Sequence, residues 1–262
     1  MSIRRWNSLA SLALLLLLVQ LCSAQELTVA AAADLQFAMQ AISWRFQQDT
    51  GNIVKVIYGS SGNLAQQLRN GAPFDMFFSA DLEYPKQLEK AGLTEPGTFY
   101  HYAKGKIVMW VRNDSSVELK SGMQSLLDAS IKKIAIANPQ HAPYGRAAVA
   151  AMKKGNVYDV VKGKLVLGEN ISQTASFVVS GSAEIGIVAF SLAVSPNMRE
   201  KGRYWEIPIT DYPAIEQACV ILSSSKNKET ARQFLSFIKT AAVAETLKAY
   251  GFDVARTSDK KP

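Results

Sequence analysis

Cysteine and histidine are scarce in this chain of 262 residues, which contains two of each. Cys22 lies in an N-terminal apolar segment, so only Cys219 remains in the rest of the chain and no internal disulfide framework is expected. Cys219 lies in the apolar run 218–222, where a small buried hydrophobic residue is the expected role. Neither His101 nor His141 has cysteine or acidic residues at zinc-ligand spacing, so no free metal cation is predicted.

Clustered positive charge is also missing, although 29 Lys and Arg against 22 Asp and Glu give a net charge of +7. The basic residues are scattered, and short pairs such as Lys132–Lys133 are not interleaved with aromatic residues. We therefore predict neither a nucleic-acid partner nor a membrane-surface partner. The hydrophobic content of 48% and charged content of 19% are typical of a globular protein.

No long apolar run follows residue 24, but one precedes it. Residues 12–19 are all apolar, Arg4 and Arg5 come before them, and small residues end at Ala24. This order predicts a cleaved secretory signal peptide over residues 1–24, and its loss lowers the net charge to +5. The run is shorter than the about 20 residues of a membrane helix, which disfavours a retained anchor. A lipidated Cys22 is disfavoured by the bulky Leu21 before it.

Short β-like runs alternate with helical periodicity along the chain, which predicts an α/β fold with mostly parallel strands. The predicted strands are residues 27–31, 53–58, 76–79, 106–111, 133–137, 164–167, 185–188 and 218–222. The predicted helices are residues 35–50, 62–70, 143–154, 171–180, 228–240 and 243–250.

Four of these helices begin directly after a strand, with Asp34, Ser60–Ser61, Tyr144 and Asn170–Ile171 at their starts. Helix starts expose free N–H groups, and in open α/β sheets they gather where ligands bind. Converging starts would form a cage of N–H and O–H donors for a small oxyanion. Plain helix capping is the alternative for each start, and Asn170 with Gln173 is the pattern of a capping box.

Motifs along nearly the whole chain after residue 24 resemble the molybdate-binding proteins that serve ABC importers in the bacterial periplasm. The matching segments are Ala31-Ala-Ala-Asp-Leu, Ser60-Ser-Gly-Asn-Leu-Ala, Gly71-Ala-Pro-Phe-Asp, Phe78-Ser-Ala-Asp, Asn138-Pro-Gln-His-Ala-Pro-Tyr-Gly, Glu169-Asn-Ile-Ser, Gly186-Ile-Val and Tyr250-Gly-Phe. The Ser-Ser pair followed by Gly-Ala-Pro-x-Asp and Ser-Ala-Asp is the most specific combination.

The resemblance implies a two-lobed periplasmic binding protein fold of type II, in which two crossovers join lobes that close on a tetrahedral oxyanion. It implies a first lobe of residues 25–103 and 204–255 and a second lobe of 104–203. The charged residues 256–262 are predicted to form a flexible tail. It also implies that the ligand is molybdate or tungstate, that molybdenum is bound only as the oxyanion, and that no cofactor is needed. The protein is expected to be a periplasmic monomer whose partner is a membrane permease.

The resemblance also implies the site residues. Ser61 matches a hydroxyl ligand, Ile171 a backbone N–H donor, and Tyr144 a position where members use an amide or a tyrosine hydroxyl. Ser60 and the Asp34 backbone are expected beside Ser61, and Ser172 beside Ile171.

Two positions depart from the family pattern. The family often has a serine where this chain has Asp34, and often a tyrosine where this chain has Ala189. A carboxylate about 4 Å from a bound anion would cost roughly 4 kcal/mol per unit charge at a dielectric constant near 20. We therefore expect the Asp34 carboxylate to cap its own helix, and the Tyr144 hydroxyl to replace the one missing at Ala189.

Two alternatives stay open. A different ligand, such as sulfate or phosphate, keeps the binding class. A secreted serine hydrolase would use Ser60 or Ser61 with His141, but Gly59-Ser-Ser-Gly-Asn is not the Gly-x-Ser-x-Gly nucleophile motif.

Overall fold

The structure is a computed structural model that describes residues 25–254. The predicted signal peptide and the predicted tail lie outside the described residues. The strands are β1 (Glu26–Ala32), β2 (Ile53–Gly59), β3 (Met76–Ser79), β4 (Tyr100–Gly105), β5 (Ile107–Arg112), β6 (Ile134–Ala137), β7 (Leu165–Gly168), β8 (Ile185–Ala189), β9 (Gly202–Glu206) and β10 (Ile215–Ile221). The helices are α1 (Gln36–Thr50), α2 (Ser61–Arg69), α3 (Glu83–Lys90), α4 (Pro143–Lys154), α5 (Tyr158–Val161), α6 (Ile171–Val179), α7 (Phe190–Ala193), α8 (Lys228–Ile238) and α9 (Ala241–Ala249).

Two five-stranded sheets organise these elements, in the orders β2-β1-β3-β10-β4 and β7-β6-β8-β5-β9. Four strand pairs are parallel and four are antiparallel, so the prediction of mostly parallel strands is wrong. All four antiparallel pairs involve β5 or β10, which are the first strands after the chain passes from one sheet to the other. Their direction reverses because the chain enters each sheet from the opposite lobe.

The two crossings lie at Lys106, between β4 and β5, and within residues 207–214, between β9 and β10. We call residues 25–105 and 215–254 the first lobe and residues 107–206 the second lobe. The predicted boundaries at 103/104 and 203/204 therefore fall inside β4 and β9. Both are edge strands with alternating polar residues, and neither was predicted as a strand.

The six predicted helices are present, within a few residues of their predicted ends. Gly51 follows α1 with a φ of 76°, the left-handed conformation that a helix-ending glycine adopts. The short helices α3, α5 and α7 were not predicted, because each is only about one or two turns long. None of the helices in the described part of the chain is long and apolar enough to span a membrane.

Each sheet has its own hydrophobic core. Phe46, Phe78 and Phe234 are buried together on the first sheet, and Trp110 is buried in the second. Cys219 is fully buried in β10, and burial raises the pKa of its thiol, which confirms its predicted role as a small core residue. The core of the second sheet also continues to Ala32, Ala33, Ala80 and Ile215 of the first lobe, so apolar packing extends across the interface between the lobes.

The parallel strands β1, β2, β6 and β7 each lead into a helical start at the interface between the lobes. Close packing fixes one of these starts, because a Cβ at Gly145 would overlap the Ala137 carbonyl oxygen at the end of β6 and lie 2.9 Å from the nitrogen of Pro139. Gly145 therefore sets how closely α4 approaches the second sheet.

We expect Gly145→Ala to lower the free energy of unfolding by about 1–3 kcal/mol, because backbone atoms cannot move aside as a flexible side chain can. Gly163→Ala is the matched control, since a Cβ at Gly163 would meet no heavy atom within 4 Å. Urea denaturation of the two variants measures the difference, and equal stabilities would contradict the assigned packing role.

Candidate functional site

A small cavity lies between the lobes, where these helical starts meet. Its volume is about 10 Å³, which is room for about one water molecule. Both lobes line it, and none of its lining residues is a lysine or arginine. The lining residues are Ala32, Ala33, Asp34, Gly59, Ser60, Ser61 and Ala80 from the first lobe and Ala142, Pro143, Tyr144 and Ile171 from the second.

A larger recess of about 370 Å³ adjoins this cavity and shares Ala80 and Pro143 with it. Its charged side chains are all in ion pairs: Arg146 with Asp81, Lys86 with Glu83, and Glu216 with Lys104 outside the lining. The recess is therefore the outer part of the cleft, and the uncommitted polar groups lie in the smaller cavity.

Ser61 is the first residue of α2 and is buried. Its Oγ accepts a hydrogen bond from the Ala80 N–H at 2.9 Å, which fixes the side chain and leaves the hydroxyl proton for another acceptor. Its N–H belongs to the first turn of the helix and has no acceptor within that helix. Ser61 thus presents two donors at the cavity.

Ser60 is buried at the start of α2 and contacts the other lobe. Its Oγ lies 2.8 Å from Nδ1 of His141, and the adjacent Gly62 N–H donates to the His141 carbonyl at 2.9 Å. If Nδ1 of His141 carries a proton, it donates to Ser60 Oγ, and the Ser60 hydroxyl proton is then free to bind a ligand. If Nδ1 carries no proton, the Ser60 hydroxyl donates to it and is not free.

The trio of Ser60, His141 and Glu169 resembles a hydrolytic triad only in composition. Glu169 Oε2 lies 3.8 Å from Nε2 of His141, beyond hydrogen-bond distance. Ser60 also precedes a regular helix and lacks the strained turn of a nucleophile elbow. We interpret the trio as a contact between the lobes.

Ile171 opens α6 and lines the cavity through its helix start. The Asn170 side chain accepts hydrogen bonds from the N–H groups of Ser172 and Gln173, so the predicted cap is present. In a capping box, the Gln173 side chain would accept a hydrogen bond from the Asn170 backbone N–H. Here it accepts from the backbone N–H of Glu169 instead, so the capping box is incomplete. Capping leaves the Ile171 N–H as the free donor of this helix start.

Ser172 is predicted to contact the ligand, but it is outside the cavity lining. Its hydroxyl lies 3.0 Å from both the Ala33 carbonyl oxygen and the Gln36 side-chain oxygen of the first lobe. Ser191 makes a similar contact, donating at 2.8 Å to the Asp34 carbonyl oxygen. Both serines hold the lobes together beside the cavity.

The Asp34 side chain is buried, with 1% of the residue exposed, and does not cap its helix. Its Oδ2 accepts hydrogen bonds from the Tyr144 hydroxyl at 2.8 Å and from the Gln217 amide at 2.7 Å. Tyr102 donates to the other end of the Gln217 amide at 2.7 Å. The capping hypothesis is therefore wrong, because donors from α4 and β10 bind the carboxylate instead.

The same network decides what the Tyr144 hydroxyl can do. Its proton is donated to Asp34, so the hydroxyl does not replace the one missing at Ala189, and Tyr144 offers its backbone N–H at the start of α4. A Cβ at Gly105 would overlap the Tyr144 hydroxyl oxygen, so this glycine makes room for the network.

Gln217 and Tyr102 were not predicted as site residues, although the sequence around Gln217 contains a signal. Gln217 is the one uncharged polar residue within the strand Ile215–Ile221, and such residues are seldom buried without a partner. Tyr102 lies in the unrecognised strand β4.

Burial dominates the electrostatics of this network. It raises the pKa of Asp34 from its ordinary value of 3.8 to about 6, although the hydrogen bonds from Gln217 and Tyr144 act in the opposite direction. Burial, and then the charge of Asp34, raise the pKa of Tyr144 and of Tyr102 well above the usual range. Within residues 25–254, no group of three His, Cys, Asp or Glu residues could hold a metal ion.

Comparison with known proteins extends over both lobes. A family model described as bacterial extracellular solute-binding protein matches residues 27–253. The molybdate-binding protein ModA of Azotobacter vinelandii is 37% identical over 233 residues, covering 88% of this chain and 92% of that protein. ModA of Rhodobacter capsulatus is 35% identical, covering 92% and 94%. The solved structure of the periplasmic molybdate-binding protein of Azotobacter vinelandii matches with a TM-score of 0.83 at 31% identity, covering 88% of this chain and 100% of that chain.

We expect Asp34→Asn to stabilise the chain at neutral pH and not at acid pH. Because the folded-state pKa is raised, the folded chain keeps a proton that the unfolded chain releases, so stability is lost as pH rises from about 3.8 to about 6. The shift corresponds to about 3 kcal/mol at pH 7. An amide of the same shape stays neutral, and its oxygen can accept from Tyr144 and Gln217.

The measurement is the unfolding free energy of Asp34→Asn minus that of the wild type, taken by urea denaturation at pH 4 and pH 7. This difference should rise by about 2–2.5 kcal/mol between the two, since pH 4 is already slightly above the unfolded pKa. Asp159→Asn is the control, since Asp159 is an exposed partner of Lys162, and its difference should not rise. A flat difference for Asp34→Asn would show that folding does not raise the pKa of Asp34.

Proposed function

The chain belongs to the family of bacterial extracellular solute-binding proteins, as its motifs predict, and from this premise we propose that it captures molybdate, or the similar tungstate, for an ABC importer. The observation that carries the proposal is the cavity between the lobes, which hydroxyl and N–H donors line from both sides without any lysine or arginine. Such donors bind an oxyanion that has shed its water.

The donors assigned to the anion come from both lobes. Ser61 gives its hydroxyl proton and its N–H, and the Asp34 segment and Ser60 lie beside it on the first lobe. The second lobe gives the N–H groups of Tyr144 and Ile171, each at the positive end of a helix dipole. Ser172 contributes by joining the lobes beside the anion.

Capture proceeds by closure of the two lobes. Anion bound to the first lobe would gain the Tyr144 and Ile171 donors only when the second lobe closes, and this difference in binding shifts the equilibrium toward the closed form. Contacts across the cleft, such as Tyr144 with Asp34 and Arg146 with Asp81, then hold the lobes together.

Delivery follows capture. The closed monomer, exported to the periplasm and cleaved near Ala24, docks on a membrane permease whose ATPase subunit drives release of the anion. The ligand is cargo and no cofactor or covalent step is involved. The fixed set of donors favours a tetrahedral oxyanion and separates molybdate poorly from tungstate.

Calorimetry against molybdate, tungstate, sulfate and phosphate at pH 6 tests the proposal. We expect one molybdate or tungstate per chain and weaker binding of the other two. Ser61→Ala should weaken molybdate binding roughly tenfold to hundredfold, because hydrogen bonds to charged groups contribute about 1.5–3 kcal/mol.

Ser43→Ala is the matched control, since Ser43 is a buried serine on α1 outside the cavity lining. It should bind molybdate as the wild type does. Absence of molybdate and tungstate binding by the wild type would overturn the assignment.

Gly62→Ala tests closure without removing a ligand donor. A Cβ at Gly62 would lie 2.7 Å from both the His141 carbonyl oxygen of the second lobe and the Tyr84 hydroxyl. We expect this variant to bind molybdate about tenfold more weakly or worse, since 1.4 kcal/mol of hindered closure is tenfold in affinity. Small-angle scattering should also show less compaction on adding molybdate than for Gly163→Ala, and equal compaction would contradict the role of closure.

A further inference from the structure

The two oxygens of the Asp34 carboxyl have different surroundings. Oδ2 accepts hydrogen bonds from Tyr144 and Gln217. Oδ1 is buried and, within the described residues, accepts no hydrogen bond, although the N–H groups of Asp34 and Leu35 are near enough to lower the pKa of the carboxyl. Since Asp34 lines the cavity and Oδ2 is held by the network, Oδ1 is the oxygen left to face the cavity.

An ionised Asp34 and a dianion in this cavity would repel each other strongly. No positive side chain lines the cavity to offset that repulsion. A neutral carboxyl removes it, and its remaining polar atoms then fit the site: Oδ2 keeps both of its donors, and a proton on Oδ1 points at the anion. Burial already shifts the carboxyl toward this neutral form, because it raises the pKa to about 6 in the closed structure.

Building on the proposed function, we propose that the protein takes up one proton with each oxyanion, and that Asp34 holds it on Oδ1 and donates it in a hydrogen bond to an oxygen of the anion. The proton comes from solvent, and no bond of the anion breaks. Asp34 thereby serves as a ligand donor at a position where an ionised carboxylate would exclude the anion.

The other groups near Asp34 do not supply this proton. Tyr144 on α4 and Tyr102 on β4 are neutral phenols whose pKa values burial raises. The facing helices α6 and α7 carry no ionisable side chain, and Gln217 on β10 is neutral. His141 is the titratable group on the far side of Ser60, with Glu169 beyond it, so His141 needs its own control.

The test is calorimetry of molybdate binding between pH 6 and 8.5, in buffers with different ionisation enthalpies. At pH 8 the wild type should take up close to one proton per anion, and its affinity should fall about tenfold for each unit of pH above 6. Asp34→Asn should take up none, because its amide already has a donor in place of the protonated Oδ1. Its affinity should not depend on pH and should exceed that of the wild type about hundredfold at pH 8.

His141→Gln separates the two candidate proton sites and should still take up one proton. Wild-type binding without proton uptake would overturn the inference and leave the proposed function intact. Loss of uptake in His141→Gln, or binding by Asp34→Asn weaker than that of the wild type at pH 8, would also overturn it. No anion binding at pH 6 by any of the three proteins would instead contradict the proposed function.

Discussion

The hydrogen bonds that the Asp34 carboxyl accepts from Tyr144 and Gln217 join the parts of the molecule on which the account depends. Asp34 follows β1, Gln217 lies on β10 and Tyr144 lies in the first turn of α4 of the other lobe. The relative position of the lobes, the free donors at the cavity and the protonation of the site are thus connected through one buried side chain. Gly105 and Gly145 permit the arrangement, because a Cβ at either would occupy space that Tyr144 or α4 needs.

Around this network the site separates two kinds of polar group. Some complete the protein's own structure, such as Asn170 capping α6 and the Ser172 and Ser191 hydroxyls joining the lobes. Others are left without an internal partner by helix geometry, such as the first N–H groups of α2 and α6. The second kind, together with the hydroxyl proton of Ser61, can replace the water of an anion. The net positive charge of the chain contributes nothing to this selection.

Sequence reasoning could predict the parts of the fold that local pattern determines. The six longer helices and eight of the strands have periodic apolar residues, and the start of α6 has a recognisable cap. Strands β4 and β9 could not be found in this way. They lie at the edges of the sheets, where several side chains are exposed and polar, so they lack the apolar pattern of a strand. The partner of Asp34 could not be predicted either, because Gln217 is 183 residues away along the chain and only the packing of β10 brings the two together.

A crystal structure of the protein with bound molybdate tests the central claim most directly, because the anomalous signal of molybdenum locates the anion without assumption. The account predicts one anion in the cavity between the lobes, in contact with Ser61 and Ile171, with Asp34 Oδ1 about 2.5–2.7 Å from one of its oxygens. An anion outside this cavity, or an Asp34 carboxyl turned away from an anion within it, would contradict the account.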